Sequence, residues 1–195
     1  MRVTDEVISE LKGKYPKLYK VSRRDSDYIF RMPTLREWKE ARKKDSTFST
    51  NDKLVQTCLV FPDLPEMRLA EKHDAYLVQV LGGKLIAYLM QDEDADDGQT
   101  FELPDGTSGF KIMRRGRVFE FRSPTRAEWK RISSLFGTDN FAAVEYLVTQ
   151  CKLGLSDAEL HELMESDVVF IELVGGPFIK VVAEDLMDAE GKEIS

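Results

Sequence analysis

Apolar and polar positions alternate in two stretches of the chain, and each stretch leads into the same short motif. Phe110-Lys-Ile-Met113 and Val118-Phe-Glu-Phe-Arg122 alternate on either side of Arg114-Arg115-Gly116-Arg117. A period of two around a polar loop, with a glycine available for positive φ, predicts a β-hairpin. The run from Tyr19 to Arg31 repeats the pattern around Asp25-Ser26-Asp27. A helix start follows both hairpins. Thr34 and Thr125 stand as N-caps with Glu37 and Glu128 three residues later, the capping-box spacing. Pro33 and Pro124 stop the strand before the cap. Trp38 and Trp129 sit one turn in, where they would anchor the helix against the hairpin.

Beyond this motif the period becomes helical. Second helices are predicted over 52–60 and 140–152, where Phe141, Val144, Tyr146, Leu147, Val148 and Cys151 include the i, i+3, i+4, i+7 spacing of a buried face. Third, shorter helices fit 65–73 and 156–164, the latter opened by another capping box, Ser156 with Glu159. The segments 75–90 and 168–182 admit two readings: a hairpin turning at Gly82-Gly83 and Gly175-Gly176, or a helical segment broken there. β-branched residues in the second copy favour strands. Pro177 directly after the glycines, with Phe178, Ile179, Val182 and Leu186 at helical spacing, tips the expectation to helix after them.

The chain is internally repetitive. Over 21 positions at a constant offset of 91, ten are identical, among them Lys20/Lys111, Arg23/Arg114, Arg24/Arg115, Arg31/Arg122, Pro33/Pro124, Glu37/Glu128 and Trp38/Trp129. At an offset of 93, Cys58 matches Cys151, Asp74 matches Asp167, and Gly82-Gly83 matches Gly175-Gly176. These matches predict a tandem duplication in an α+β protein, each unit a β-hairpin followed by three to four short helices. The first unit spans 1–90. An acidic, glycine-rich linker covers 91–108, the second unit 109–187, and a flexible tail 188–195.

Charge narrows the choice of partners. The chain of 195 residues carries a net −7, which argues against nucleic acid as the main partner. The first 44 residues hold +6 of charge, so a basic N-terminal segment precedes an acidic body, suited either to an acidic surface or simply to solvent. No apolar run approaches the roughly 18 residues of a membrane span, and the opening Met1-Arg-Val-Thr-Asp-Glu has no apolar signal core.

Catalytic motifs do not stand out. There is no GxxxxGK[ST], HExxH, GxSxG or GxGxxG, so neither enzymatic activity nor a cofactor is expected. A carboxylate-based hydrolase would need paired acids brought into one cleft. His73 and His161 occupy unmatched positions, and a metal site is not expected from them or from the acidic run 92–97, which lacks EF-hand spacing. Cys58 and Cys151 read as core residues. Arg23, Arg24, Arg114, Arg115 and Arg117 recur at the hairpin turns and are the candidate partner contacts, able to read phosphates or acidic side chains. Arg31 and Arg122 would pair with Glu37 and Glu128. Gly82, Gly83, Gly175 and Gly176 would serve a turn or a close helix contact.

Several repeated features combine into a likeness. Phe30-Arg-Met-Pro-Thr34 and Phe121-Arg-Ser-Pro-Thr125 lead into Glu-Trp helices. A helix then ends near cysteine and proline in Leu54-Val-Gln-Thr-Cys-Leu-Val-Phe-Pro62, and a Gly-Gly segment closes each unit. The unit resembles the small tail assembly chaperones of long-tailed bacteriophages, which bind the tape-measure protein until the tail tube forms around it. The resemblance implies a non-enzymatic morphogenesis protein acting in the host cytoplasm on other phage proteins, with apolar grooves between helices holding amphipathic client segments. It also implies avidity from the tethered copies, with an oligomer compatible with the role. The chain departs from the family in carrying two copies with prominent hairpins. The alternative is therefore a related domain reused in the virion, bridging subunits of a baseplate or neck.

Overall fold

A computed structural model describes residues 1–43 and 46–187. The segment 188–195, expected as a tail, lies outside the described residues. The chain divides into two compact units, Met1–Gln91 and Asp92–Ser195.

Unit 1 opens with α1 (Asp5–Lys14), capped by Thr4, whose hydroxyl accepts from the Val7 amide. β1 (Leu18–Arg23) and β2 (Ser26–Arg31) form an antiparallel hairpin closed by the pair Arg23 and Ser26. α2 (Leu35–Arg42) and α3 (Thr47–Cys58) follow, then β3 (Leu59–Phe61) pairs antiparallel with β2. α4 (Leu64–Glu71) and α5 (Leu77–Met90) complete the unit, whose sheet order is β1-β2-β3. Phe30, Trp38, Leu54, Met67, Leu81 and Leu85 fill its core.

From the hairpin on, unit 2 has the same element order, with a strand instead of α1 ahead of it. β4 (Gln99–Glu102) pairs with β5 (Ser108–Arg114), which pairs with β6 (Arg117–Arg122). α6 (Arg126–Leu135), α7 (Asn140–Cys151), β7 (Lys152–Leu153), α8 (Asp157–Ser166) and α9 (Phe170–Met187) follow. The sheet order is β4-β5-β6-β7. Phe178 lies against Phe110 and Phe121, with centroids 5.4 and 5.0 Å away, and Phe119 meets Phe170 edge-on at 4.9 Å. The fold class is α+β, with each hairpin followed by four helices among the described residues.

Three expectations need correction. The stretch 91–108 is not only a linker, because its residues 99–102 form an edge strand and its acids bind the neighbouring hairpin. The second helices end at Cys58 and Cys151. The residues after them, Leu59–Phe61 and Lys152–Leu153, join the sheets, extended backbone that a proline or glycine then terminates. Both Gly-Gly segments lie inside continuous helices, with neither a hairpin nor a break. The reason is tertiary. A Cβ on Gly82 would stand 2.7 Å from the Asn51 Cα of α3, and one on Gly175 2.2 Å from Val144 Cγ1 of α7. The first glycine of each pair lets two helices cross closely, while Gly83 and Gly176 face open space. Burial of the crossing offsets the poor helix propensity of glycine, about 1 kcal/mol per residue.

Candidate functional site

The arginines at the hairpin tips divide into structural and surface roles. Arg24 and Arg115 both take a left-handed backbone with φ 51°, as the tight turns demand of a non-glycine residue. Arg23 reaches from the hairpin to the start of α5, where Nε and Nη2 donate to the two oxygens of Asp74 at 2.5 and 2.9 Å. That guanidinium holds the Asp74 carboxyl below the usual range, against the opposing effect of burial. In unit 2 the counterpart of Asp74, Asp167, accepts from Nε of the second arginine, Arg115, at 2.7 Å.

Arg114 has a different task. Its Nε donates to the Leu173 carbonyl at 2.9 Å, and its Nη1 to the carbonyls of Asp96 and Met113 at 2.6 and 2.7 Å. Leu173 lies four residues before Pro177, which has no N–H to complete the helical bond. The buried guanidinium supplies the missing donor. Arg114, buried, and Arg23, half-buried, are therefore corrected from partner contacts to internal ties, whereas Arg115 stays exposed at the turn while its Nε binds Asp167. Arg24, 66% exposed at its side chain, stays on the surface, as does Arg117, which lies 5.4 Å over the Phe119 ring.

The repeat anchors mostly stand where the spacing puts them. Thr34 with Glu37, Thr125 with Glu128, and Ser156 with Glu159 each form a full capping box. Arg31 grips Glu37 with two bonds of 2.8 and 2.7 Å, and Arg122 grips Glu128 with two of 2.8 and 2.6 Å. Trp38 is fully buried, whereas Trp129 is only half-buried, so the second copy is corrected to a weaker anchor. Cys58 and Cys151 are buried, and burial pushes both thiols up to about 12.

Two carboxylate clusters hold the hairpins. In unit 1, Asp27 accepts from Ser22 Oγ at 2.7 Å, Val3 N at 3.2 Å and Arg2 Nη1 at 3.1 Å, with Lys20 Nζ also 3.1 Å away. Burial alone would raise its carboxyl, and these donors more than reverse that. In unit 2 the acidic run takes this part. Asp96 accepts from the Met113 amide at 2.8 Å, and Asp92 from the Arg115 amide at 3.1 Å. Among the described residues, no group of three or more His, Cys, Asp or Glu side chains is placed to hold a metal ion.

The sequence did not point to a cleft that unit 1 carries. A cleft of about 390 Å³ is lined by Ser26 and Tyr28 of β2, Pro62, and Glu66, Leu69, Ala70 and His73 from α4 and its C-terminal end, with Met1 beside them. Tyr28 and Pro62 are buried, but Leu69 is 59% exposed, and Tyr76 just beyond it is 72% exposed. The pair Leu69-Ala70, set between Arg68 and the polar run Glu71-Lys72-His73, is the sequence signal of this face. In unit 2 its place is taken by Glu162. The chain matches no protein-family model, no curated protein and no solved structure.

Proposed function

We propose that this chain is a non-enzymatic, protein-binding factor of bacteriophage tail morphogenesis that holds a tape-measure-type client during assembly. The observation that supports this reading is the cleft of unit 1, with an apolar side chain, Leu69, left in water at its edge and a polar rim of Glu66 and His73. An amphipathic client helix would lay one apolar stripe across Leu69 and Ala70, with the buried Pro62 at the floor of the cleft, the helix-in-groove mode. The two sequence copies are read as a tandem duplication in which only the first kept this face, since Glu162 stands in the position of Leu69. The client is thus held by unit 1, not equally by both.

The test combines two measurements. Quantitative mass spectrometry of infected-cell lysate and of purified particles is expected to find the chain in the lysate and not in the particle. A constant copy number in particles would instead make it a structural virion component bridging neighbouring subunits. Leu69→Asp is expected to reduce co-purification of a long helical phage protein at least tenfold while the melting curve stays unchanged. Retention of the client by that variant would refute the cleft as its seat.

A further inference from the structure

The two sheets differ at one edge. In unit 2 the outer strand β5 is covered by β4, with Gln99 opposite Lys111, Thr100 opposite Phe110, Phe101 opposite Gly109 and Glu102 opposite Ser108. In unit 1 the equivalent strand, β1, is itself the edge. Which of its backbone groups face outward follows from register. Met113, opposite Val118, turns its amide and carbonyl away from β6 toward Asp96. The matching residue of β1 is Ser22, opposite Asp27, and the Asp27 amide likewise points away from β1, to the Met1 carbonyl. By the alternation of antiparallel pairs, the N–H and C=O of Leu18, Lys20 and Ser22 therefore point off the sheet. Lys20 and Ser22 are exposed, and among the described residues β1 has a strand, β2, on one side alone.

We propose that the open edge of β1 is a docking site for an extended, acidic segment of a partner protein, added as a fourth strand in the place that β4 fills in unit 2. Main-chain bonds to an exposed edge supply the affinity in this mode, and side chains at alternate positions supply the selectivity. Three features select the occupant. Lys17, Lys20 and Arg24 are exposed along this edge and its turn, Lys20 and Arg24 while also 3.1 and 3.7 Å from Asp27 and Asp74, and this cationic rim favours an acidic segment. The same cations disfavour a second copy, because β1 against β1 would set lysine near lysine. In unit 2 the covering segment enters through Asp92 and Asp96, whose carboxylates take the amides of Arg115 and Met113. Their unit 1 counterparts, Arg24 and Ser22, offer amides in the same register, so the occupant carries two acids four residues apart ahead of its strand.

The occupant also differs from β4 at one position. Phe101 lies across Gly109, where any Cβ would stand 2.7 Å from its ring. Leu18 occupies that position in β1, so the partner strand has a small residue where β4 has phenylalanine. This surface is separate from the α4 cleft and stands or falls without it.

The probe is a labelled peptide with the sequence of residues 91–103 carrying Phe101→Ala, titrated into the full chain and followed by amide chemical shifts. Binding is expected to move the amides of Leu18, Lys20 and Ser22. The unaltered peptide, with Phe101, is expected to bind at least tenfold more weakly. Lys20→Pro, which removes one outward N–H at an edge position where proline is tolerated, is expected to weaken binding at least tenfold with the remaining spectrum retained. Lys17→Glu, which leaves the backbone intact, is expected to weaken it about threefold. Shifts confined to Gly109, Lys111 and Met113, or no binding, would overturn the proposal. So would β1 shifts that grow with protein concentration in the absence of peptide, since they would assign the edge to a second copy.

Discussion

Arg31 and Arg122 show how much a single repeated residue can hold. Each binds both oxygens of a glutamate six residues on and then a carbonyl from the end of the next helix, Thr57 or Gln150, at 2.9 Å. One guanidinium thus ties strand, helix N-terminus and following helix together. The arginines, with the capping threonines, hold Glu37 and Glu128 down to about 2, against the opposing effect of partial burial. A carboxyl depressed in the folded state contributes stability that is complete above its unfolded value, about 4.3 for glutamate, and is lost as pH falls toward the folded one. Thermal melts should therefore lose stability between about pH 4.5 and pH 2. Glu37→Gln should cost about 2 kcal/mol at pH 7, in line with charge-assisted bonds. Its deficit against the wild type should narrow as pH approaches 2. A deficit that stays constant with pH would contradict the pairing.

At the scale of elements, the late helices α5 and α9 are the informative ones. Each carries two adjacent glycines, and only the first touches a neighbour. Gly82→Ala should push α5 off the α3 backbone and cost about 1–3 kcal/mol, the usual range for overpacking. Gly83→Ala, with open space around it, should stabilise by about 0.5–1 kcal/mol through helix propensity. Urea midpoints moving in opposite directions would check both. α9 adds a proline, and its orphaned Leu173 carbonyl is met by Arg114. Arg114→Met should cost about 2–3 kcal/mol, because a buried acceptor loses its donor. With Pro177→Ala in the background an amide can serve Leu173 directly, so the penalty should shrink, with a coupling of about 1 kcal/mol or more in a double-mutant cycle. Additive losses would show that the two residues act separately.

The whole molecule is organised as two units whose boundary falls between Gln91 and Asp92. The acidic stretch after it belongs to unit 2, through the β4 ladder and through Asp92 and Asp96 at the β5–β6 turn. Fragments 1–91 and 92–195 should each give a cooperative melt. Fragment 109–195, cut where composition alone would divide the chain, should melt markedly lower than 92–195, since it exposes the β5 edge and strips carboxylates from the Met113 and Arg115 amides. Calorimetry of the three fragments decides this. Equal melting points for 92–195 and 109–195 would make residues 92–108 a mere connector.

The capping boxes, the hairpins and the pairs Arg31–Glu37 and Arg122–Glu128 were legible in the sequence because each is a local contact, with partners three to six residues apart. Regular dihedrals place such neighbours together whatever the rest of the chain does. The tie from Arg114 to Leu173 spans 59 residues, that from Arg23 to Asp74 spans 51, and the cleft gathers β2 with α4. None of these has a spacing that periodicity can read. The same limit hid the role of the double glycines: a turn and a helix crossing both call for a residue without a Cβ, and only the position of Asn51 or Val144 distinguishes them. The sequence by itself determined the local units and their repetition. Tertiary packing decided which arginines were consumed inside the fold, which sheet edge stayed open and where an apolar side chain was left in water, because each of those depends on what arrives from a distant part of the chain.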